Sequence, residues 1–184
     1  MKKLLLLFII AIAPAAFAQN KADIPYTLQP RTFFENQVSL PVPTSFAPAE
    51  ESLVKTLYPD EKNRPKIILT DKTDHPLLAL NIAPNTGDRE TLVKFYRDTK
   101  NDLREKYPSQ QFLRSDVIHG RTLAVIEVIL PNSAGQKVYN MMAFSYVGKN
   151  FFFFNFSCPE EDMPKWQNTA REMAENIKVM PSNQ

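Results

Sequence analysis

The rhythm of apolar and polar residues changes several times along this chain, and each rhythm predicts an element. Val38 to Val42 alternates as a first short strand, with Pro41 favouring an edge or a strand end. Ala49 to Leu57 reads as a short helix with Glu50 and Glu51 in its first turn. Two brief apolar runs, Lys66 to Thr70 and Leu77 to Ala83, flank the polar stretch 71–76 and predict a hairpin. The spacing then lengthens to three and four. Leu92, Phe95, Tyr96, Thr99, Leu103 and Tyr107 mark one face of a long helix, opened by Asp88 as N-cap and ended by Pro108.

Four strands follow. Gln111 to Ile118 and Arg121 to Leu130 flank His119-Gly120, which reads as a two-residue turn. Val138 to Val147 and Asn150 to Ser157 flank Gly148-Lys149, which suits a type II′ turn. A last helix opens near Asp162, admits Pro164 in its first turn, and carries Met163, Trp166, Ala170, Met173 and Ile177 on one apolar stripe. Hairpin-linked strands interrupted by helices indicate an α+β class with a mainly antiparallel sheet of about six to seven strands. The late strands are apolar on both faces, most of all Phe151-Phe152-Phe153-Phe154, so that sheet must be covered on both sides. A three-layer α/β/α sandwich does this.

The first residues do not belong to that fold. Met1-Lys2-Lys3, an apolar run from Leu4 to Ile12 and Ala16-Phe17-Ala18 have the three parts of a secretory signal peptide. The run falls short of the roughly 20 apolar residues a membrane span needs, and no Cys follows it to carry a lipid anchor. The expected organisation is a signal peptide over 1–18, a polar tail over 19–36 with Pro25 and Pro30, one domain over 37–180, and a short tail over 181–184. Phe33 and Phe34 are the residues able to anchor the first tail. The expected location is extracytoplasmic, periplasmic or secreted, with no stable membrane anchor after cleavage near Ala18.

Export changes the charge balance. Lys2 and Lys3 leave with the leader, and the 22 basic residues fall to 20 against 20 acidic ones. A neutral chain has no general electrostatic reason to seek nucleic acid or anionic lipid. Cys158 is the single cysteine, so the exported domain relies on its core rather than on a disulfide. It reads as a small buried hydrophobe.

Several segments together resemble a known group. Leu40-Pro41-Val42-Pro43 with Phe46, Tyr58-Pro59, Arg64-Pro65-Lys66-Ile67, Tyr139-Asn140-Met141-Met142, Phe154-Asn155-Phe156-Ser157-Cys158 and Trp166 are similar to small bacterial proteins of the PsbP/DcrB-like α/β/α sandwich superfamily. That superfamily includes the photosystem II extrinsic protein PsbP, a Ran-binding nuclear import factor, DcrB, and adaptor chaperones of type VI secretion effectors. The resemblance covers about residues 38–179. It implies a non-enzymatic binding or adaptor role and transfers no functional residue individually.

Catalytic patterns are missing. The sequence has no G-x-S-x-G, H-E-x-x-H, Walker A or dinucleotide fingerprint. No cofactor and no metal is expected. His75 and His119 fall in separate predicted turns, and Asn63, Asp71 and Asp74 lack the spacing of a calcium loop. Asn155-Phe156-Ser157 matches a glycosylation acceptor but lies within a predicted central strand.

One polar constellation follows from strand register. The Gly148-Lys149 turn sets Met142 opposite Asn155 and Asn140 opposite Ser157. The His119-Gly120 turn sets Arg114 opposite Val125. If the longer loop sets Ile129 opposite Val138, then Glu127 faces Asn140, and Arg114, Glu127, Asn140, Asn155 and Ser157 share one sheet face. A shift of one residue in that loop breaks the set, because side chains alternate faces. The five residues read either as a buried, mutually satisfied network under a helix or as the polar floor of a pocket walled by Phe144, Phe151 and Phe153. The sequence therefore points to an exported, non-enzymatic accessory protein that binds another protein or peptide in the cell envelope. A small-ligand or lipid-binding module with a cavity beside the sheet is the alternative.

Overall fold

The computed structural model describes residues 26–72, 76–84, 88–118, 122–132 and 134–180. The expected signal peptide, Asp74, His75 and the expected His119-Gly120 turn lie outside the described residues. The main sheet has seven strands: β3 (Ala47–Pro48), β4 (Ile67–Thr70), β5 (Leu77–Pro84), β6 (Gln111–Ile118), β7 (Leu123–Pro131), β8 (Lys137–Val147) and β9 (Asn150–Pro159), in the order β3-β4-β5-β9-β8-β7-β6. Every pairing in it is antiparallel. A second sheet of three strands joins β1 (Leu28–Phe33), β2 (Val38–Pro43) and β10 (Lys178–Val179) in the order β1-β2-β10. Among the described residues the α-helices are α1 (Glu51–Leu57), α2 (Arg89–Lys106) and α3 (Met163–Glu175).

Alternation along the strands sends side chains to two separate cores. On one face, Phe152, Phe154, Phe156, Met141 and Leu80 pack with Trp166, Ala170 and Met173 of α3 and with Val38, Leu40 and Val42 of the small sheet. On the other, Phe144, Phe151, Ala124, Ile126 and Val128 pack under Leu92 of α2, with Phe95 against them. The four consecutive phenylalanines supply both cores, Phe152 and Phe154 to one and Phe151 and Phe153 to the other. The architecture is the expected three-layer α+β sandwich.

The local signals explain most of the elements. Asp88 caps α2 by accepting the Thr91 amide at 2.7 Å. Pro164 occupies the first turn of α3. At the β8–β9 turn φ is +58° at Gly148 and is not positive at Lys149, as a type II′ turn requires.

Three expectations need correction. The stretch read as an irregular tail contains β1, which pairs with β2 along its whole length, from Leu28 opposite Pro43 to Phe33 opposite Val38. Its side chains are too polar to announce a strand, and its stability comes from the partner. Arg31 donates to the carbonyls of Phe46 at 2.8 Å and Pro43 at 3.2 Å. Second, β2 is the middle strand of its sheet and not an edge. Pro41 is accommodated because β10 pairs only with Val38 and Ser39, while the residue opposite Pro41 on β1 is Pro30. Third, Ile118 pairs with Leu123, so four residues and not two connect β6 to β7.

Candidate functional site

The five predicted polar residues do not share a face. Leu130, not Ile129, stands opposite Val138, and this one-residue difference sets Glu127 opposite Met141 and Val128 opposite Asn140. The cause is the β7–β8 connection. Asn132 closes it by accepting the amides of Ala134 at 3.0 Å and Gln136 at 2.9 Å, and no two-residue turn fixes the register there.

Glu127 therefore points into the α3 core, where it is fully buried. Its carboxylate accepts from Tyr139 Oη at 3.1 Å, Gln167 Nε2 at 2.6 Å, and Arg171 Nε and Nη2 at 3.0 and 2.9 Å. Burial beside this carboxylate pushes the Tyr139 phenol well above its ordinary range. Arg114, opposite Glu127 in the sheet, turns instead to Glu175 at the end of α3. A satisfied network under a helix is thus the environment of Glu127, with partners that the register argument missed. Gln167 and Arg171 are four residues apart on the polar flank of α3, a spacing that places both on one helix face.

Asn140, Asn155 and Ser157 stay together on the opposite face. Asn140 stands opposite Ser157, and Met142 opposite Asn155. Here α2 does not cover the sheet. The cover is α1, a seven-residue helix with no buried residue. Between them lies a groove of about 860 Å³, walled by Leu53, Leu57 and Tyr58 and floored by Asn140, Asn155 and Ser157. A second depression of about 320 Å³ adjoins it at Tyr58 and Asn155 and continues to Asn81 and Phe153. Phe144 and Phe151, expected as walls, instead pack against Phe95 of α2, with ring centroids 5.3 and 5.2 Å away.

The segment after α1 holds Tyr58 in place. Arg64 Nε donates to the Tyr58 carbonyl at 2.9 Å, and Asp60 accepts the Lys62 amide at 3.0 Å. Burial raises the Tyr58 phenol pKa. On the floor, Asn140 Nδ2 donates to the Val138 carbonyl at 3.0 Å, whereas Asn155 Oδ1 is buried with no hydrogen-bond donor facing it. Cys158 borders the groove, but burial and the nearby Asp162 charge push its thiol up to about 12. It is a neutral thiol at physiological pH and a poor nucleophile. Among the described residues no group of three or more His, Cys, Asp or Glu side chains could hold a metal ion, and no helix is long and apolar enough to cross a membrane. The walls Leu53 and Leu57 escaped the sequence reading because apolar residues on a short helix look like core.

No protein-family model and no curated protein matches the sequence. Solved structures do match its fold. The chain is similar to cyanobacterial PsbP from Synechocystis, with a TM-score of 0.55 and 11% identity over 84% of this chain and 94% of that one. It is similar to the Ran-binding protein Mog1p of Saccharomyces cerevisiae, with a TM-score of 0.56 and 12% identity over 85% and 97%. It is also similar to LpqN of Mycobacterium tuberculosis, a protein involved in cell envelope biogenesis, with a TM-score of 0.50 and 14% identity over 84% and 91%. The chain thus has the fold of the PsbP and Mog1 group, as the sequence resemblance implied.

Proposed function

We propose that this protein is an exported, non-enzymatic accessory protein that binds an extended segment of another cell-envelope protein in the groove beneath α1. The observation that carries this reading is that two adjoining depressions share Tyr58 and Asn155 and together follow β9 from Pro159 to Phe153. A track with apolar walls suits a chain of alternating side chains better than it suits a compact solute. The buried Asn155 Oδ1 without a donor is the polar counterpart, because a bound backbone N–H would satisfy it. The expected leader over residues 1–18 and the likeness to a protein involved in cell envelope biogenesis support an extracytoplasmic setting. The Ran-binding neighbour supports a protein partner in general.

The test is site-specific photo-crosslinking in the cell envelope. A crosslinker replaces Leu57, which is apolar, 42% exposed and on the groove wall, or Val93, which is 40% exposed on α2 away from it. The reading expects a discrete polypeptide adduct from position 57 that is absent from position 93 and lost when Asn155→Ala is added. Equal adducts from both positions refute it. The groove also falls within the volume range of small-molecule pockets. A retained small ligand in native mass spectrometry, with no polypeptide adduct, replaces the peptide reading with the ligand-binding one.

A further inference from the structure

The two edges of the seven-stranded sheet are unlike. One is β3, two residues long and ending in Pro48, a form that blocks further pairing. The other is β6, eight residues long and without proline or lysine. Among the described residues no strand pairs with its outer side. Edge strands with free N–H and C=O groups recruit further strands unless their side chains prevent it.

The order of side chains on β6 is self-complementary about Ser115. Arg114 precedes it and Asp116 follows it, and both project to the α3 face, where Arg114 meets Glu175 and Asp116 lies across from buried Val125. Phe112 and Val117 project to the α2 face. In an antiparallel pairing, residues equidistant from the centre stand opposite one another on the same face. With Ser115 opposite its own copy, Arg114 of each chain meets Asp116 of the other. The irregularity between Phe112 and Arg114 leaves Phe112 to meet Val117 of the second copy. Neighbouring registers are penalised. A two-fold axis at Arg114 sets arginine against arginine, and one at Asp116 sets aspartate against aspartate. Charges on an edge normally repel partners, but this pair discriminates among registers and accepts one.

We propose that β6 is a homodimerisation edge, joining two copies about a two-fold axis at Ser115 into one continuous sheet. The groove beneath α1 is formed by β8 and β9, so the proposal is independent of the binding function assigned to it. Both ion pairs sit at the sheet margin, so association weakens with added salt.

Sedimentation equilibrium of the chain purified after export tests it. The expected result is a dimer that dissociates on dilution. Asp116→Lys and Arg114→Glu each turn two symmetry-related attractions into repulsions and weaken association by roughly tenfold or more. Mixing the two single variants places every new charge opposite its complement and restores association as a heterodimer. Asp116 is exposed, so Asp116→Lys leaves the fold intact by circular dichroism. That variant alone keeps the test decisive if loss of the Glu175 contact unfolds Arg114→Glu. Amide exchange supplies a second readout, with protection of β6 amides rising with protein concentration while the β3 edge stays unchanged. A chain that remains monomeric at millimolar concentration overturns the proposal. So does a dimer that Asp116→Lys leaves unaltered, or β6 protection that appears only with a different protein present.

Discussion

Glu127 and Arg171 meet as a two-pronged pair, Nε to Oε2 at 3.0 Å and Nη2 to Oε1 at 2.9 Å, but they meet unequally. The carboxylate is fully buried, whereas the arginine side chain is 36% exposed. The two deletions are therefore expected to differ. Arg171→Ala leaves the buried carboxylate without its cation and with only the neutral donors Tyr139 and Gln167, and breaking a buried pair in this way costs about 3–5 kcal/mol. Glu127→Ala releases a guanidinium that can turn to solvent and leaves mainly the buried Tyr139 hydroxyl without its acceptor, a loss of about 1–3 kcal/mol. Urea denaturation of both variants measures the asymmetry. Equal losses would show that Arg171 contributes packing rather than charge.

Trp166 ties the N-terminal strand region to α3. Its ring stacks on Tyr26 at 4.0 Å and 5°, and packs on Phe46 and Phe156 at 5.6 and 5.8 Å. It is 1% exposed. Trp166→Ala is expected to cost about 3–5 kcal/mol, while Trp166→Phe keeps much of the packing and costs less. Because the chain has one tryptophan, its fluorescence reports this junction directly. A chain beginning after Tyr26 should show a red-shifted emission maximum as the stacking ring is lost.

The legible parts of the fold are those fixed by local rules. The Gly148 turn sets the β8–β9 register over ten pairs, from Val147 opposite Asn150 to Val138 opposite Pro159, because a two-residue turn leaves no slack. That is why the shared face of Asn140, Asn155 and Ser157 is legible in the sequence. The face of Glu127 is not legible, because it depends on the longer 132–136 connection, whose closure by Asn132 is a side-chain choice no periodicity records. The strand β1 was hidden for a different reason. Its sequence is polar and contains Pro30, and it is a strand only because β2 offers a partner.

The β1–β2 connection holds three successive residues in the left-handed region, with φ of 53° at Phe34, 55° at Glu35 and 65° at Asn36. Non-glycine residues are disfavoured there by roughly 1–2 kcal/mol each. Glu35 is exposed, so Glu35→Gly relieves that penalty without disturbing the contact of Phe34 with Phe152. Glycine adds unfolded-state entropy, which offsets part of the gain. A net stabilisation of up to about 1 kcal/mol in denaturant titration is expected. A loss would mean that the Glu35 side chain itself supports the turn.

Stability at high pH should depend on Cys158. Burial raises its thiol to about 12 in the folded protein, against 9.0 for the free group. The unfolded chain therefore releases this proton first. Below about pH 9 both states hold the proton and the group has no effect on the balance. Above it the unfolded state gains a thiolate that the folded state cannot form, so stability falls as pH rises towards 12. One pH unit above the unfolded value, the loss from this group is about 1.4 kcal/mol. Tyr139, raised by burial and by Glu127, adds a similar loss that begins near pH 10. Cys158→Ala removes the first contribution and leaves the second. Its stability should start lower at pH 7, because a buried side chain has been cut back, and then decline less between pH 7 and 10 than that of the parent chain. Parallel urea midpoints for the two proteins across that range would show that the thiol ionises as easily folded as unfolded. Cys158 would then have to be open to solvent, and rapid labelling by a thiol reagent under native conditions would reveal it.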